Sequence, residues 1–389
     1  MNTEKYLKLL CEQTGPTGFE RPGAELAAEA IKPFVDEVRV DTLASVIAVR
    51  RADPEAAKAA TETQCEGNSN ASQVSADRPA MLIAAHLDEV GLVVTGHEDG
   101  FLCVGPIGGV DQRVFPDRDL CILTDPPIFG VMSVQPPHVL KAEDMSKAID
   151  MDELRVDIGM TQEEAVAAVP VGTPITYRTE GFRIGKTRYV SKTLDDRACF
   201  AALIRAAELL KDRKLPWDVY FVGSTGEERA EGGAPAAAFG TGAKVCLAID
   251  VTQASTPDAN PKIHTGIDNH ELGGGPVITV GPNITKHVGK RLRELAERDR
   301  MPVQIAAAPG RTGTDAWHMH IVREGVASGL ISLPLRYMHS PTECVDLGDI
   351  ELCAQLVAAY ALDPGQDVLD CLADCEPLHH AKNAEVEKC

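Results

Sequence analysis

Residues 81–89 read Met-Leu-Ile-Ala-Ala-His-Leu-Asp-Glu, and this stretch decides the fold that we expect. Its first five residues form a short, continuous apolar run, which is typical of a strand buried on both faces of a sheet. Ionisable residues follow the run directly, beginning with His86 and Asp88. On an extended backbone these two side chains point to the same side. The stretch therefore predicts an α/β strand that carries functional side chains at its carboxyl end, where such folds place their sites.

Beyond this stretch the predicted secondary-structure pattern of the chain changes twice. From about residue 92 to 180, short β-type runs alternate with turns rich in Gly and Pro, which predicts a small β-rich domain. After Lys192, strand patterns alternate with helical patterns, which predicts a mixed, largely parallel sheet flanked by helices. We therefore expect four parts: residues 1–91 and 181–362 form one α/β domain, 92–180 is inserted into it, and 363–389 is a tail.

Composition excludes several classes of protein. The 389 residues include 38 basic and 58 acidic ones, which gives a formal net charge of −20 with neutral His. Such a chain repels nucleic-acid phosphates and anionic lipid surfaces, so neither is an expected partner. No window of about 18 uncharged apolar residues is visible, and the first residues do not resemble a signal peptide. Cysteines within apolar runs, such as Cys103 and Cys246, suit reduced core positions, and we predict a cytoplasmic protein.

Two segments show no helical or strand periodicity. Residues 51–79 are rich in Ala, Thr, Asn, Ser and acidic residues, and we interpret them as a long surface insertion. The tail contains three cysteines and a His pair, at Cys371, Cys375, Cys389 and His379-His380. This spacing is a weak metal-binding pattern, and we expect the tail to be dispensable for the chemistry.

Five places put an ionisable residue at a predicted strand end or helix start. They are His86, Asp195, the pair Glu227-Glu228, Asp250 and His339. Each has an ordinary alternative: a structural His, a helix N-cap at Asp195, a solvated turn at the Glu pair, or a capping Asp. Together, two imidazoles and several carboxylates suit a pair of divalent ions, with Zn²⁺, Co²⁺ or Mn²⁺ as candidates. A carboxylate left unligated beside such ions can act as a general base.

Several short motifs occur in a fixed order along the chain. The sequence resembles the tetrahedral (TET) aminopeptidase family, which includes glutamyl and deblocking aminopeptidases, over roughly residues 4 to 362. The motifs that carry the resemblance are Ala85-His86-Leu87-Asp88-Glu89-Val90-Gly91, Leu194-Asp195-Asp196-Arg197, Glu227-Glu228, Ala248-Ile249-Asp250-Val251-Thr252, Gly313-Thr314-Asp315 and Arg336-Tyr337-Met338-His339-Ser340-Pro341.

The resemblance implies a role for each candidate residue. Asp195 would bridge two metal ions, of which His86 and Asp250 would hold one. Glu228 and His339 would hold the other ion. Glu227 would be the general base, and Asp88 would orient His86. The implied reaction is the removal of N-terminal residues from short peptides, with a water between the two ions as the nucleophile.

The resemblance also implies an architecture. We expect a three-layer, mixed-sheet metallopeptidase domain with an inserted PDZ-like dimerisation domain. Subunits of this kind assemble into a hollow tetrahedral dodecamer built from dimers, so a homo-oligomer is the expected state.

Three alternatives are weighed against the aminopeptidase. A related carboxypeptidase or amino-acid deacylase would use two metals with similar ligands. A glycosidase such as an endoglucanase would use paired carboxylates on opposite faces of a sugar, whereas Glu227 and Glu228 are adjacent. Only 4% of the residues are aromatic, which leaves few platforms for sugar stacking. A scaffold without activity would not need all five predicted ligands and a base.

Overall fold

The computed structural model describes residues 3–58, 80–139, 147–229, 232–256, 270–365 and 368. Most of the expected surface insertion, residues 59–79, and the Cys- and His-containing part of the tail lie outside these residues. Val368, near the start of the tail, is fully buried in the main core.

The described residues contain seventeen strands. In chain order they are β1 (Glu37–Val40), β2 (Val46–Arg50), β3 (Ala80–His86), β4 (Gly91–Glu98), β5 (Phe101–Ile107), β6 (Arg118–Ile122), β7 (Ile128–Met132), β8 (Arg155–Val156), β9 (Pro174–Tyr177), β10 (Phe182–Ile184), β11 (Arg188–Ser191), β12 (Asp218–Ser224), β13 (Val245–Gln253), β14 (Val277–Val280), β15 (Gln304–Ala307), β16 (Ala327–Leu335) and β17 (Glu343–Asp346).

Eight α-helices lie wholly within the same ranges, and residues 54–58 are also helical. They are α1 (Thr3–Cys11), α2 (Arg21–Ile31), α3 (Gln162–Ala168), α4 (Leu194–Leu210), α5 (Gly233–Thr241), α6 (Lys286–Arg298), α7 (Asp315–Met319) and α8 (Leu347–Leu362). None of these helices is long and apolar enough to cross a membrane.

An eight-stranded sheet forms the centre of the larger domain, in the order β1-β2-β12-β3-β13-β16-β14-β15. The four middle strands β12, β3, β13 and β16 run parallel to one another. Antiparallel pairs flank them, between β2 and β12 on one side and between β14 and β16 on the other. The sheet is therefore mixed with a parallel centre, as the sequence predicted.

Strand β3 explains why the sheet lies between two layers of helices. Its residues alternate between the two large cores: Met81 and Ile83 pack on one face, and Leu82 and Ala84 pack on the other. Helices α1, α2, α4, α6 and α8 cover the first face, and α5 and α7 cover the second. Both faces of the strand are thus apolar, which produces the continuous hydrophobic run in the sequence.

The inserted domain is a separate six-stranded sheet in the order β7-β6-β9-β4-β5-β8. All of its pairings are antiparallel, and its own core includes Leu92, Leu102, Phe115 and Leu120. A bridge between Val131 in β7 and the residue after β8 joins the two edge strands. These six strands lie between residues 91 and 177, where the sequence predicts a β-rich region, and the two edge strands cover each other.

A small three-stranded sheet, β10-β11-β17, was not anticipated from the sequence. Its middle strand leads directly into α4, and Glu343 in β17 pairs with Ser191 in β11. This sheet connects the return from the inserted domain to the last part of the chain.

A buried ion pair lies where the two domains and the N-terminal loop meet. Glu89 and Lys192 are 2.6 Å apart, and their side chains are 4% and 3% exposed. Hydroxyl groups of Thr176 and Thr193 donate to the same carboxylate oxygen at 3.0 and 2.8 Å, and the Gly15 N–H donates to the other oxygen at 2.8 Å. Both oxygens of this buried carboxylate therefore have hydrogen-bond donors.

We expect Lys192→Met to lower the free energy of unfolding by about 3–5 kcal/mol, because it removes the nearer cation of the buried Glu89 carboxylate and leaves only Arg197, at 3.8 Å. Lys214→Met is the matched control, since Lys214 pairs with Glu55 at 2.9 Å but is 64% exposed. An exposed pair contributes about 0–1 kcal/mol. Urea unfolding followed by circular dichroism at one protein concentration measures both. Equal, small effects of the two substitutions would contradict the assignment.

Candidate metal centre

The central parallel strands bring the predicted residues to one edge of the sheet. His86 is the last residue of β3, and Glu227 follows the end of β12 by three residues. Asp250 lies within β13, which continues to Gln253 and is therefore longer than the sequence predicted. His339 follows β16 in a loop. The carboxyl ends of parallel strands meet at the same edge, so residues far apart in sequence become neighbours.

Asp195 lies between the two imidazoles. His86 Nε2 is 3.1 Å from Asp195 Oδ1, and His339 Nε2 is 3.3 Å from Asp195 Oδ2. Each oxygen of one carboxylate thus faces a different histidine. Asp195 does not cap α4, because Asp195 and Asp196 both have non-helical backbone angles, so Asp196 directly precedes the regular helix, and both carboxylate oxygens of Asp195 face imidazoles. The alternative interpretation of Asp195 as an N-cap is therefore wrong.

The second ring nitrogen of each histidine has its own partner. His86 Nδ1 is 3.2 Å from the Asp88 carbonyl oxygen, and His339 Nδ1 is 2.8 Å from the Gly109 carbonyl oxygen. A carbonyl oxygen accepts a hydrogen bond, so it favours the tautomer that carries the proton on Nδ1. The lone pair on Nε2 then points at Asp195. The loop that contains Gly109 belongs to the inserted domain, which therefore borders the site.

This arrangement fits divalent metal ions. An imidazole lone pair and a carboxylate oxygen repel each other at 3.1 Å unless a proton or a cation lies between them. Ligands at about 2.0–2.1 Å from an ion in tetrahedral geometry lie about 3.3 Å apart, close to the separations observed around Asp195. One ligand atom each from Asp195, Glu228 and His339 lie within 4.8 Å of one another, as do those of His86, Asp196 and Asp250.

The Glu pair is not a solvated turn. Glu228 Oε1 is 3.3 Å from His339 Nε2, and Glu227 Oε2 is 3.8 Å from His86 Nε2. Their side chains are only 6% and 11% exposed. The main-chain N–H groups of both residues donate to the carboxylate of Asp88, at 3.1 and 3.2 Å. Asp88 is fully buried and also accepts a hydrogen bond of 2.7 Å from the Thr17 hydroxyl.

Burial of so many carboxylates raises most of their pKa values. Burial, together with the charges of Asp250 and Asp315, raises the pKa of Glu227 to about 10, although His86 opposes this. Burial likewise raises the pKa of Glu228 and Asp250. Among the described residues, the only ion-pair partners of Glu227 and Glu228 are the two imidazoles. A site with this excess of buried acid favours cations.

The two imidazoles and Asp195 instead shift toward their charged forms: the pKa of each imidazole is raised, and that of Asp195 is lowered. Burial opposes the charged form of Asp195, but hydrogen bonds from His339 and His86 hold its pKa below the usual range. Asp195 and Glu228 raise the pKa of His339 to about 11 despite its partial burial. Both shifts favour positive charge between Asp195 and the imidazoles, which is the charge that a bound cation supplies.

Sequence reasoning missed two buried carboxylates at the site. Asp196 Oδ2 accepts the main-chain N–H of His86 at 3.2 Å, and Asp196 Oδ1 has no hydrogen-bond partner among the described residues. Glu343 accepts main-chain N–H groups from Asp195 and His339. Asp196 stood within the Leu194–Arg197 motif without a role. Glu343 has no local signal, because its position depends on the unanticipated strand β17.

A cleft of about 1020 Å³ opens beside the site. It lies between the N-terminal loop and the inserted domain, and its walls include Thr17, Leu43, Pro127, Val171 and Gly226. Gly226 directly precedes Glu227, and Thr17 is bonded to Asp88. The cleft therefore provides space for a ligand next to the acidic cluster.

Comparison with known proteins places these features in a family. The model of the M42 glutamyl aminopeptidase family matches residues 67–356. The chain is 34% identical over 361 residues to a lysyl aminopeptidase of Pyrococcus furiosus, and the match covers 91% of this chain and 95% of the relative.

Two solved structures extend the comparison to the fold. A TET aminopeptidase from the marine sediment archaeon Thaumarchaeota archaeon SCGC AB-539-E09 has a TM-score of 0.82 and 27% identity, covering 95% of this chain and 99% of that one. The TET1 peptidase of Pyrococcus horikoshii, which can assemble into a tetrahedron or a large octahedral shell, has a TM-score of 0.75 and 25% identity, covering 93% and 99%.

The matched family model spans well over half of the chain, and it includes every residue proposed for the site. The family match supports an aminopeptidase and argues against the carboxypeptidase, deacylase, glycosidase and scaffold alternatives. With its mixed-sheet fold and its cluster of imidazoles and carboxylates, the chain belongs to the M42 glutamyl aminopeptidase family of metallopeptidases.

Proposed function

We propose that this aminopeptidase uses a site for two divalent ions, with Asp195 shared between them. The observation that carries the proposal is the position of one imidazole on each oxygen of Asp195, at 3.1 and 3.3 Å. Residues on one side, His86 and Asp250, would hold one ion. Glu228 and His339 on the other side would hold the second. Zn²⁺ and Co²⁺ suit this mixture of nitrogen and oxygen donors best, and Mn²⁺ is also suitable.

Bound divalent ions polarise a peptide carbonyl and lower the pKa of water, which is the chemistry that this hydrolysis requires. The proton transfers fall to Glu227. Its carboxylate is 3.8 Å from His86 Nε2, and burial raises its pKa to about 10 in the absence of cations. Nearby positive charge lowers a carboxyl pKa, which keeps Glu227 ready to accept a proton. Glu227 then takes a proton from the attacking water and returns it to the leaving amine.

Asp88 acts as a positioning residue in this proposal. Its carboxylate lies 3.5 Å from His86 Nδ1 and accepts the main-chain N–H groups of both Glu227 and Glu228. One buried side chain therefore sets the orientation of an imidazole ligand, a carboxylate ligand and the general base. Such fixed partners preorganise a site before substrate arrives.

The substrates proposed are short peptides, and the proposed assembly is a dodecamer built from dimers. The relatedness to TET peptidases supports a homo-oligomer. Phe129 and Val131, on the outward side of β7 in the inserted domain, are 53% and 46% exposed. Exposed apolar side chains of this kind favour protein contacts. We therefore assign subunit contacts to the inserted, PDZ-like domain and the chemistry to the rest of the chain.

Glu227→Gln should lower turnover by about 10²–10⁴-fold, because it keeps the shape of the side chain and removes the proton acceptor. Bound metal should stay near the normal level. Glu228→Gln is the matched variant and should lose metal, since an amide is a weaker ligand than a carboxylate. Turnover of an aminoacyl anilide and metal content by mass spectrometry are measured for both.

Two outcomes would change this picture. Loss of metal from Glu227→Gln, with metal retained by Glu228→Gln, would exchange the two roles. Near-normal turnover of Glu227→Gln with its metal in place would contradict the proposed base.

Removal of the inserted domain should reduce particle size. Leu92, at its start, pairs with Ile175, five residues before its end, so a flexible Gly-Ser linker can replace residues 92–180. Light scattering should then report particles smaller than those of the full chain, and circular dichroism checks that the remaining α/β domain is folded. Particles of the original subunit number would show that other surfaces hold the assembly.

A further inference from the structure

We propose that Glu343 is a positioning residue for the metal centre, which fixes Asp195 and His339 relative to each other. This inference rests on the proposed function and assigns a role to a residue outside the predicted ligand set. Glu343 is 2% exposed, and both of its carboxylate oxygens are used. Oε2 accepts the main-chain N–H of Asp195 at 3.0 Å, and Oε1 accepts the main-chain N–H of His339 at 2.8 Å.

The contacts connect two segments that are distant in sequence. Asp195 is 148 residues away from Glu343 along the chain, while His339 is four residues away. Glu343 itself is held by β17, where it pairs with Ser191 at the end of β11. The same strand β11 leads through Thr193 to Asp195. The segment that contains Asp195 is therefore joined to β17 in two ways. One is the main-chain pairing of β11 with β17, and the other is the hydrogen bond from the Asp195 N–H to Glu343.

The backbone on both sides needs such support. His339 has a φ of 61°, and Thr193, two residues before Asp195, also has a φ of 61°. Both lie in the left-handed region, which is unfavourable for residues with a Cβ and persists where the surroundings impose it. A carboxylate that accepts a hydrogen bond beside each of these positions stabilises the conformation that points Asp195 Oδ2 at His339 Nε2, 3.3 Å away.

Loss of the Glu343 carboxylate should affect one of the two proposed ion sites more than the other. His86 has independent support, because Asp88 and Asp196 hold its ring and its main-chain N–H. His339 has Glu343 at its main-chain N–H and Gly109 at its ring. Loss of the Glu343 carboxylate should therefore weaken the site of Asp195, Glu228 and His339 more than the site of His86 and Asp250.

Asp349 provides a matched control. It is 1% exposed, and it also accepts two main-chain N–H groups, those of Gly273 and Gly275, each at 2.8 Å. Those glycines lie in a loop that carries none of the proposed ligands. Asp349→Asn and Glu343→Gln thus make the same chemical change at a buried position. In each variant the amide oxygen can still accept one main-chain N–H, while the amide NH₂ group faces the other N–H and cannot accept it.

The experiment titrates Zn²⁺ alone into full-length, metal-free protein, in competition with a chromogenic chelator. Wild type should bind two ions. Glu343→Gln should bind one of them ten- to a hundredfold more weakly, which is the usual effect of losing a partner that orients a ligand. Asp349→Asn should bind both ions with wild-type affinity. Thermal melting of the metal-free proteins reports the effect on stability separately. We expect the melting temperature to be lower in both variants than in wild type.

Unchanged affinity in Glu343→Gln, or an equal loss of affinity in both variants, would overturn the role of Glu343. If Glu343→Gln does not fold, Glu343→Asp replaces it, because it keeps the charge and shortens the side chain by one methylene. Its expected and contradicting results are the same. Failure of the proposed function is distinguishable, since wild type itself would then bind fewer than two ions.

Discussion

The burial of excess negative charge is the constraint on which the site depends. Asp88, Asp196, Asp250 and Glu343 are all nearly inaccessible to solvent, and they surround the imidazoles of His86 and His339. Taking an ionised carboxylate out of water costs several kcal/mol unless a cation or a set of donors compensates. These buried carboxylates are concentrated at one edge of the central sheet, where bound divalent cations would offset the loss of hydration.

A neighbouring carboxylate shows what the chain does when no metal is involved. Glu89 follows Asp88 in sequence, yet it has its own cation in Lys192 and further donors in two threonines. No lysine or arginine pairs with Asp195 or Glu228 in the described part of the chain, where their partners are imidazoles. The contrast separates a carboxylate with its own cation from the carboxylates that we propose as metal ligands.

Carboxylates that accept main-chain N–H groups form a second level of organisation. Asp88 holds the two glutamates, Asp196 holds His86, and Glu343 holds both Asp195 and His339. The inserted domain contributes as well, because the Gly109 carbonyl oxygen lies 2.8 Å from His339 Nδ1. A Cβ at Gly109 would lie 3.2 Å from that nitrogen, so the close approach favours glycine. The domain to which we propose to assign subunit contacts thus also borders the candidate metal centre.

The sequence by itself determined the mixed α/β fold and identified the candidate ligands, because apolar periodicity and strand-end residues are local properties. The apolar run before His86 predicted a strand buried on both faces, and its packing on two helical layers agrees. Only the tertiary structure decided that Asp195 contacts both imidazoles, that Glu343 bonds to the main chain of both Asp195 and His339, and that the Glu pair is buried. Those contacts join residues such as His86 and Asp195, 109 positions apart, and spacing along the chain carries no information about which distant strands become neighbours.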